Sequence, residues 1–300
     1  MAAAHAALTP DEIAFSLPRG CMTTSSLSRL IDVLMQDASL DEPGQLPRRI
    51  DAMELLEREL FHAGDEVPAS LHRQGAALLA KFEAVNHTLY RSIRDDIRDG
   101  SGAASLQAWA SAMRKPADHD SYDALDTLLG GVLDFEEPHD VAELAADMVF
   151  YQPTPARHIF DFIARAKIED RDVVMDLGSG LGHVAILTAM CTNARCIGIE
   201  VEPAYVRSAR TCARSLGVSN ACFLAQDVRH ADLSEGTVFY LYTPFTGSIL
   251  RTVLDMLRRE AEHRAIRLCT LGPCTAVVAN EQWLRGVRQD VACPALWRSL

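Results

Sequence analysis

Three glycines at every second position, Gly178, Gly180 and Gly182, constrain this chain more than anything else in it. They follow a short apolar run, Val173-Val174-Met175, that closes in Asp176 and Leu177. A helical pattern runs on from His183 to Thr192, and a second apolar run from Cys196 to Ile199 ends in Glu200. The order is strand, glycine turn, helix, strand, with a carboxylate at the end of each strand. Glycine there allows a sharp turn and lets a ligand approach main-chain N–H groups with no Cβ in the way.

Two kinds of nucleotide-bearing ligand compete for such a turn. The nicotinamide and flavin fingerprint is Gly-x-Gly-x-x-Gly, with pyrophosphate on the helix N-terminus. Here the third glycine comes one residue early, and Asp176 lies two residues before Gly178. That carboxylate repels pyrophosphate and suits a ligand with an amino group and a cationic centre. Glu200, eighteen residues beyond Gly182, is placed to accept from both ribose hydroxyls. The segment resembles the first motif of the class I S-adenosylmethionine-dependent methyltransferases. Asp176-Leu177-Gly178-Ser179-Gly180-Leu181-Gly182 is also similar to the form found in the non-SET, Dot-type histone-lysine methyltransferases. The resemblance spans residues 151–300 and implies an α/β fold: a doubly wound sheet of seven strands whose last hairpin is antiparallel. It implies S-adenosyl-L-methionine as cofactor, held by Asp176, Gly178, Ser179, Gly180, Gly182 and Glu200.

Further positions follow from the resemblance. The helix before the first strand, and the loop entering it, contact the methionine end of the cofactor in this family, which makes Tyr151 and Thr154 candidate contacts. Thr154-Pro155 also reads as an N-cap and first-turn pair over a core tyrosine. Residues 221–225 form the third strand, and Asp227 after it takes the place of the acid that accepts from the adenine amino group. Val228 then stacks or offers its N–H. An Asp ending a strand is equally an ordinary turn residue. Residues 237–242 form an apolar fourth strand, as expected of one covered on both faces. The loop after it faces the reacting methyl group, because ligands meet where strand order reverses. Amino-methylating relatives have Asn- or Asp-Pro-Pro-aromatic there, and Dot-type enzymes an asparagine pair before phenylalanine. This chain has Tyr242-Thr243-Pro244-Phe245, without the amide or carboxylate that grips an acceptor amine. Tyr242, Thr243 and Phe245 remain to shape the acceptor pocket. A helix over residues 248–262, a fifth strand over 265–271 and a closing hairpin within 277–300 complete the domain, with Trp283 and Trp297 as core anchors.

Residues 1–145 read as a separate all-helical N-terminal domain, and 146–300 as the cofactor-binding domain. After an irregular arm over 1–20, helices are expected from Thr23, from Pro47 and over 69–99, ending at Gly100-Ser101-Gly102. Shorter ones follow over 105–114, 122–133 and 141–149. The first 150 residues carry a net charge of −14 and the remainder +2. So acidic a front half repels phosphate backbones and argues against nucleic acid as partner. It is a solvated surface or a docking face for a basic protein; the domain serves as lid, docking face or homodimer contact. No run approaches the ~20 apolar residues of a membrane span. The opening lacks the basic stretch of a secretion signal. Eight cysteines without a Cys-x-x-Cys pair read as reduced thiols rather than a zinc or disulfide framework. A cytoplasmic enzyme without metal is expected.

The reaction this implies is in-line transfer of a methyl group to a nitrogen or oxygen nucleophile of a small molecule, peptide or protein side chain. Its main demand is alignment. A general base helps an acceptor that is protonated at neutral pH. His183, His158, Tyr242 and Glu281 are near enough in sequence terms, and none shows a partner. Three alternatives stand: a Dot-like protein-lysine methyltransferase, a catalytically inactive cofactor-binding regulator or scaffold, and an NAD(P)-dependent oxidoreductase, disfavoured by the glycine spacing.

Overall fold

The computed structural model describes residues 24–64, 67–113, 122–136, 138, 141, 147–288 and 294–300. The arm over 1–20 and most of the helix expected at 141–149 lie outside these residues. Of the latter, residues 147–149 are described and are not helical. The chain divides into two compact units, Met1–Ser92 and Ile93–Leu300.

In the first unit, helix α1 (Thr24–Gln36) buries Leu27, Leu30, Ile31 and Leu34, a three-and-four spacing that puts them on one face. They share a core with Leu55 and Leu56 of α2 (Leu46–Ala63) and Phe82 of α3 (Ala69–Arg98). Arg49 is fully buried in this unit. Its Nε donates to Asn86 Oδ1 at 2.6 Å, and one NH group donates to the carbonyls of Leu40 and Glu42 at 2.7 and 2.9 Å. Those bonds offset the desolvation of the guanidinium.

The second unit begins with α4 (Gly102–Ala112) and α5 (Ala124–Leu133), followed by α6 (Ala156–Ala166). Then come β1 (Val173–Leu177), α7 (His183–Thr192), β2 (Arg195–Glu200), α8 (Pro203–Ser215) and β3 (Ala221–Ala225). β4 (Val238–Tyr242), α9 (Gly247–Ala261), β5 (Arg267–Leu271), short α10 (Cys274–Val278), β6 (Leu284–Arg288) and β7 (Ala295–Ser299) complete it. The seven strands lie in the order β3-β2-β1-β4-β5-β7-β6. β1 to β5 pair in parallel, and β7 runs antiparallel to both neighbours. This is the doubly wound sheet with a closing antiparallel hairpin that the motif order implies. The strand order reverses between β1 and β4, which opens a crevice at their C-terminal ends. On β7, Trp297 is buried in the core as expected, its indole N–H donating to Thr270 Oγ1 at 3.0 Å.

Two features of this unit differ from the sequence expectation. The compact units part at Ser92/Ile93 rather than after residue 145, and α4 and α5 pack on α7 and α6. From α8, Ser208 Oγ donates to Glu136 O at 2.8 Å and Cys212 Sγ to Leu133 O at 3.1 Å. α5 is short, and its buried Leu125, Leu128, Leu129, Val132 and Leu133 need the sheet's helices as cover. Helical periodicity reveals that such a face exists but not what covers it. The second difference is the start of α6, where Thr154 is not the cap. Pro155 holds that position without a side-chain bond, and Asp126 Oδ1 of α5 accepts from Ala156 N–H at 2.7 Å.

Asp126 also closes a capping box at the start of α5 by accepting from Asp123 N–H at 2.8 Å. Asp126→Ala removes a cap from two helices at once. It is expected to lower stability by about 1–2 kcal/mol, read as a drop in the urea midpoint with unchanged slope.

Candidate active site

The glycine turn is built from positive-φ backbone. Gly178 (φ 85°) faces open space, and a Cβ on it would strike Pro244. Gly180 (φ 52°) lies under the ring of Tyr151, which a Cβ would displace. The N–H groups of Gly178 and Ser179 donate to Ile199 O at 2.8 and 3.1 Å, pinning the turn to the end of β2. Glu200 secures the rest: Oε2 accepts from Gly180 N–H and Oε1 from Glu202 N–H, both at 2.9 Å. Each carboxylate oxygen keeps a lone pair for a further donor. Ser179 turns its hydroxyl inward, packed against Gly198 of β2, and its carbonyl accepts from Gly182 N–H at 2.8 Å.

Asp176 is buried between Gly198 of β2 and Tyr240 of β4. Burial and then the charge of Glu200 push its carboxyl up to about 8. Desolvation without a fixed cation has this effect, and a cationic ligand beside the group reverses it. A buried, cation-seeking acid next to an open glycine is what the amino-acid end of a sulfonium nucleoside requires.

Residues 147–154 form a strap across this crevice. At one end the Asp147 carbonyl accepts from Thr246 N–H at 2.8 Å. Its Oδ2 accepts from Ser248 N–H and Oγ at 3.0 and 2.7 Å, which caps α9 and draws its carboxyl below the usual range. Met148 bridges Phe245 in antiparallel fashion. Further along, the Tyr151 ring stacks at 4.9 Å on Tyr205, and its hydroxyl lies 3.3 Å from His183 Nδ1. Burial pushes His183 down to about 4, so it is neutral at physiological pH. Pro153 O accepts from the Tyr122 hydroxyl at 2.8 Å.

Opposite the strap, Thr243 holds a left-handed backbone (φ 37°). Its Oγ1 donates to Leu271 O at 2.9 Å and accepts from Cys274 N–H at 3.1 Å, so the hydroxyl braces β5 against α10. Asp227 is tied to Arg229 at 2.6 Å, a pairing that holds its carboxyl low.

A cavity of about 940 Å³ joins these parts. Tyr151, Thr154, Asp176, Gly178, Ser179, Glu200, Asp227, Val228, Tyr242, Thr243 and Phe245 all line it. Gly180 and Gly182 lie behind that wall, under Tyr151 and Phe223. Among the suggested bases only His183 and Tyr242 reach the cavity. His158 is buried elsewhere, and Glu281 is ion-paired with Arg251 and accepts from the Trp283 indole at 2.7 Å. Among the described residues there is no cluster of metal-ligating side chains.

A family profile described as "Methyltransferase domain" matches residues 168–245. A protein-lysine N-methyltransferase of Saccharolobus islandicus (strain REY15A) is 30% identical over 138 residues, covering 45% of this chain and 78% of the relative. The chain belongs to the class I S-adenosylmethionine-dependent methyltransferases. Solved structures similar to parts of it include an RNA methyltransferase from Salinibacter ruber in complex with S-adenosyl-L-homocysteine. That one is 28% identical, with 49% of this chain and 92% of that one covered and a TM-score of 0.40. Another is a methyltransferase from Geobacter sulfurreducens with the same ligand, 20% identical over 45% of this chain and 51% of that one, with a TM-score of 0.32.

Membership of this family makes S-adenosylmethionine the cofactor, and NAD(P)-dependent oxidoreduction is set aside. Several cavity residues escape the sequence reading: Tyr205, Phe150, Asp147 and Arg229. No local signal marked Tyr205, because the ring it meets, Tyr151, lies more than fifty residues upstream. For Asp147 there was none, because its role depends on a loop about a hundred residues away.

The raised Asp176 carboxyl has a consequence for stability. A folded-state pKa above the unfolded value of about 4 means the folded protein retains a proton as pH rises. Ligand-free stability therefore falls between about pH 4 and about pH 8, and the loss is complete above the folded pKa. Asp176→Asn is expected to raise the ligand-free melting temperature above about pH 8 and to have little effect near pH 4. A wild-type advantage at the alkaline end contradicts the buried, unneutralised carboxyl.

Proposed function

We propose that this methyltransferase modifies lysine amines of a protein or peptide. The observation that carries the reading is the charge of the cavity wall. The acids Asp147, Glu200, Glu202 and Asp227 line it, with Asp176 ionised once a cation sits beside it, and among the described lining residues the lone arginine, Arg229, is paired with Asp227. His183 is neutral. Such a wall attracts a cationic acceptor and repels phosphate. The relative from Saccharolobus islandicus, named for protein-lysine methylation, supports the same assignment.

In this reading Asp176 neutralises the cofactor's amino-acid end with Tyr151 and Thr154 nearby. The free lone pairs of Glu200 accept from the ribose hydroxyls, and Val228 packs beside the adenine. Asp227 serves the adenine amino group only in competition with Arg229. Bound cofactor would supply an electrophilic methyl to the acceptor nitrogen, with its thioether as the leaving group. The protein's part is to exclude water and align the amine between the strap and the Tyr242–Phe245 loop. The acidic N-terminal helices discriminate among acceptors and contact no nucleic acid. No helix among the described residues is long and apolar enough to cross a membrane, and the described cysteines are free. Both features support a cytoplasmic enzyme.

The acceptor amine must be neutral to attack, and the described lining carboxyl that is raised toward neutrality, Asp176, is committed in this reading to the cofactor's amino-acid end. His183 is pushed to about 4, and Arg251 holds Glu281 below its usual range. The proton is thus lost to solvent. We expect kcat/KM to climb about tenfold per pH unit below the lysine pKa of about 10, with ionisation of Asp176 steepening the rise below about 8. A plateau near neutrality would require a base. The acceptor class is tested by incubation with labelled S-adenosylmethionine and a cell lysate. Label is expected in the protein fraction, released as methyllysine on acid hydrolysis; label confined to small molecules overturns the assignment.

A further inference from the structure

The strap that roofs the cavity displays two apolar side chains outward. Phe150 is 80% exposed and Val149 40%, and both line the cavity. The strap is held on each side of them. Before them lie the Asp147–Ser248 bonds and the Met148–Phe245 bridge. Val149 N–H itself donates to Pro244 O at 3.4 Å. After them, Tyr151 is wedged on Gly180 and Pro153 O is tied to Tyr122. A phenylalanine ring left in water at a cavity mouth, on backbone already ordered, is preorganised to bury against a partner with little further loss of entropy. Aromatic residues in such positions commonly dominate interface energetics.

We propose that Phe150, with Val149 beside it, is the contact that reads the residue flanking the target lysine in an acceptor polypeptide. The inference rests on the lysine assignment and deepens it. A free metabolite held deep in the cavity leaves most of this mouth ring in water, whereas a polypeptide extends past the mouth and covers it. A second copy of this chain is disfavoured as occupant because its net charge of −12 would approach an acidic wall. A lysine-bearing segment complements that wall, with its ammonium drawn toward the acids and an apolar neighbour against the ring.

The test uses the full chain and two short synthetic peptides with one central lysine, one flanked by leucines and the other by serines. The wild type is expected to favour the leucine-flanked peptide by about tenfold in kcat/KM, the difference residing in KM. Phe150→Ser is expected to cut that preference to about twofold or less, with the melting temperature and the calorimetric affinity for S-adenosylmethionine retained. An undiminished preference in Phe150→Ser overturns the proposal. So does sedimentation showing a wild-type dimer that Phe150→Ser dissociates, since the ring then serves self-association. Methyllysine in lysate proteins with neither peptide modified overturns this inference alone. Methyllysine in neither lysate nor peptide overturns the lysine assignment and the inference with it.

Discussion

Glu200 holds the catalytic crevice together through two backbone donors. One of its oxygens accepts from Gly180 N–H and the other from Glu202 N–H, so the carboxylate joins the glycine turn to the start of α8. That arrangement fixes the turn and places negative charge beside the buried carboxyl of Asp176. The two acids close adjacent parallel strands, and the fold keeps them close without a cation of its own between them. Folding alone would favour removing one of them. A ligand with a positive centre relieves the repulsion, so what destabilises the ligand-free protein becomes affinity for the cofactor.

The strap extends this logic to the acceptor side. Its Asp147 end caps α9 and pairs with the loop that follows β4, while its Tyr151 end rests on the glycine turn. One continuous segment therefore touches both the turn that serves the cofactor and the loop opposite it. Thr243 contributes from below: its strained backbone and doubly bonded hydroxyl brace that loop against α10. Strain of this sort persists only where surrounding bonds overdetermine it. The amide or carboxylate that the resemblance leads one to expect in this loop is replaced here by a rigid frame built on the Thr243 hydroxyl.

The sheet was legible because its signals are local. Apolar runs of strand length, the glycines at 178, 180 and 182, and acids at 176 and 200 each constrain the backbone within a few residues. Together they indicated a doubly wound sheet and the side of it that carries the site. Other features depended on partners far away in the chain. Thr154-Pro155 is a plausible cap by pattern, yet the N–H of Ala156 is served by Asp126, thirty residues upstream. Asp227 stands at the expected strand end, but its carboxylate is already shared with Arg229. The helices over 102–112 and 124–133 have apolar faces that mark them as packed without saying on what, and they join the sheet's unit.

By itself the sequence determined the fold class, the cofactor and the positions of Asp176 and Glu200, because backbone conformation and strand-end chemistry are written in adjacent residues. Only the tertiary structure decided which candidate groups are free to act. Whether Thr243 faces an acceptor or a carbonyl, and whether His183 carries a charge, depends on burial and on distant hydrogen-bond partners. Those are properties of the packed interior, and no local pattern encodes them.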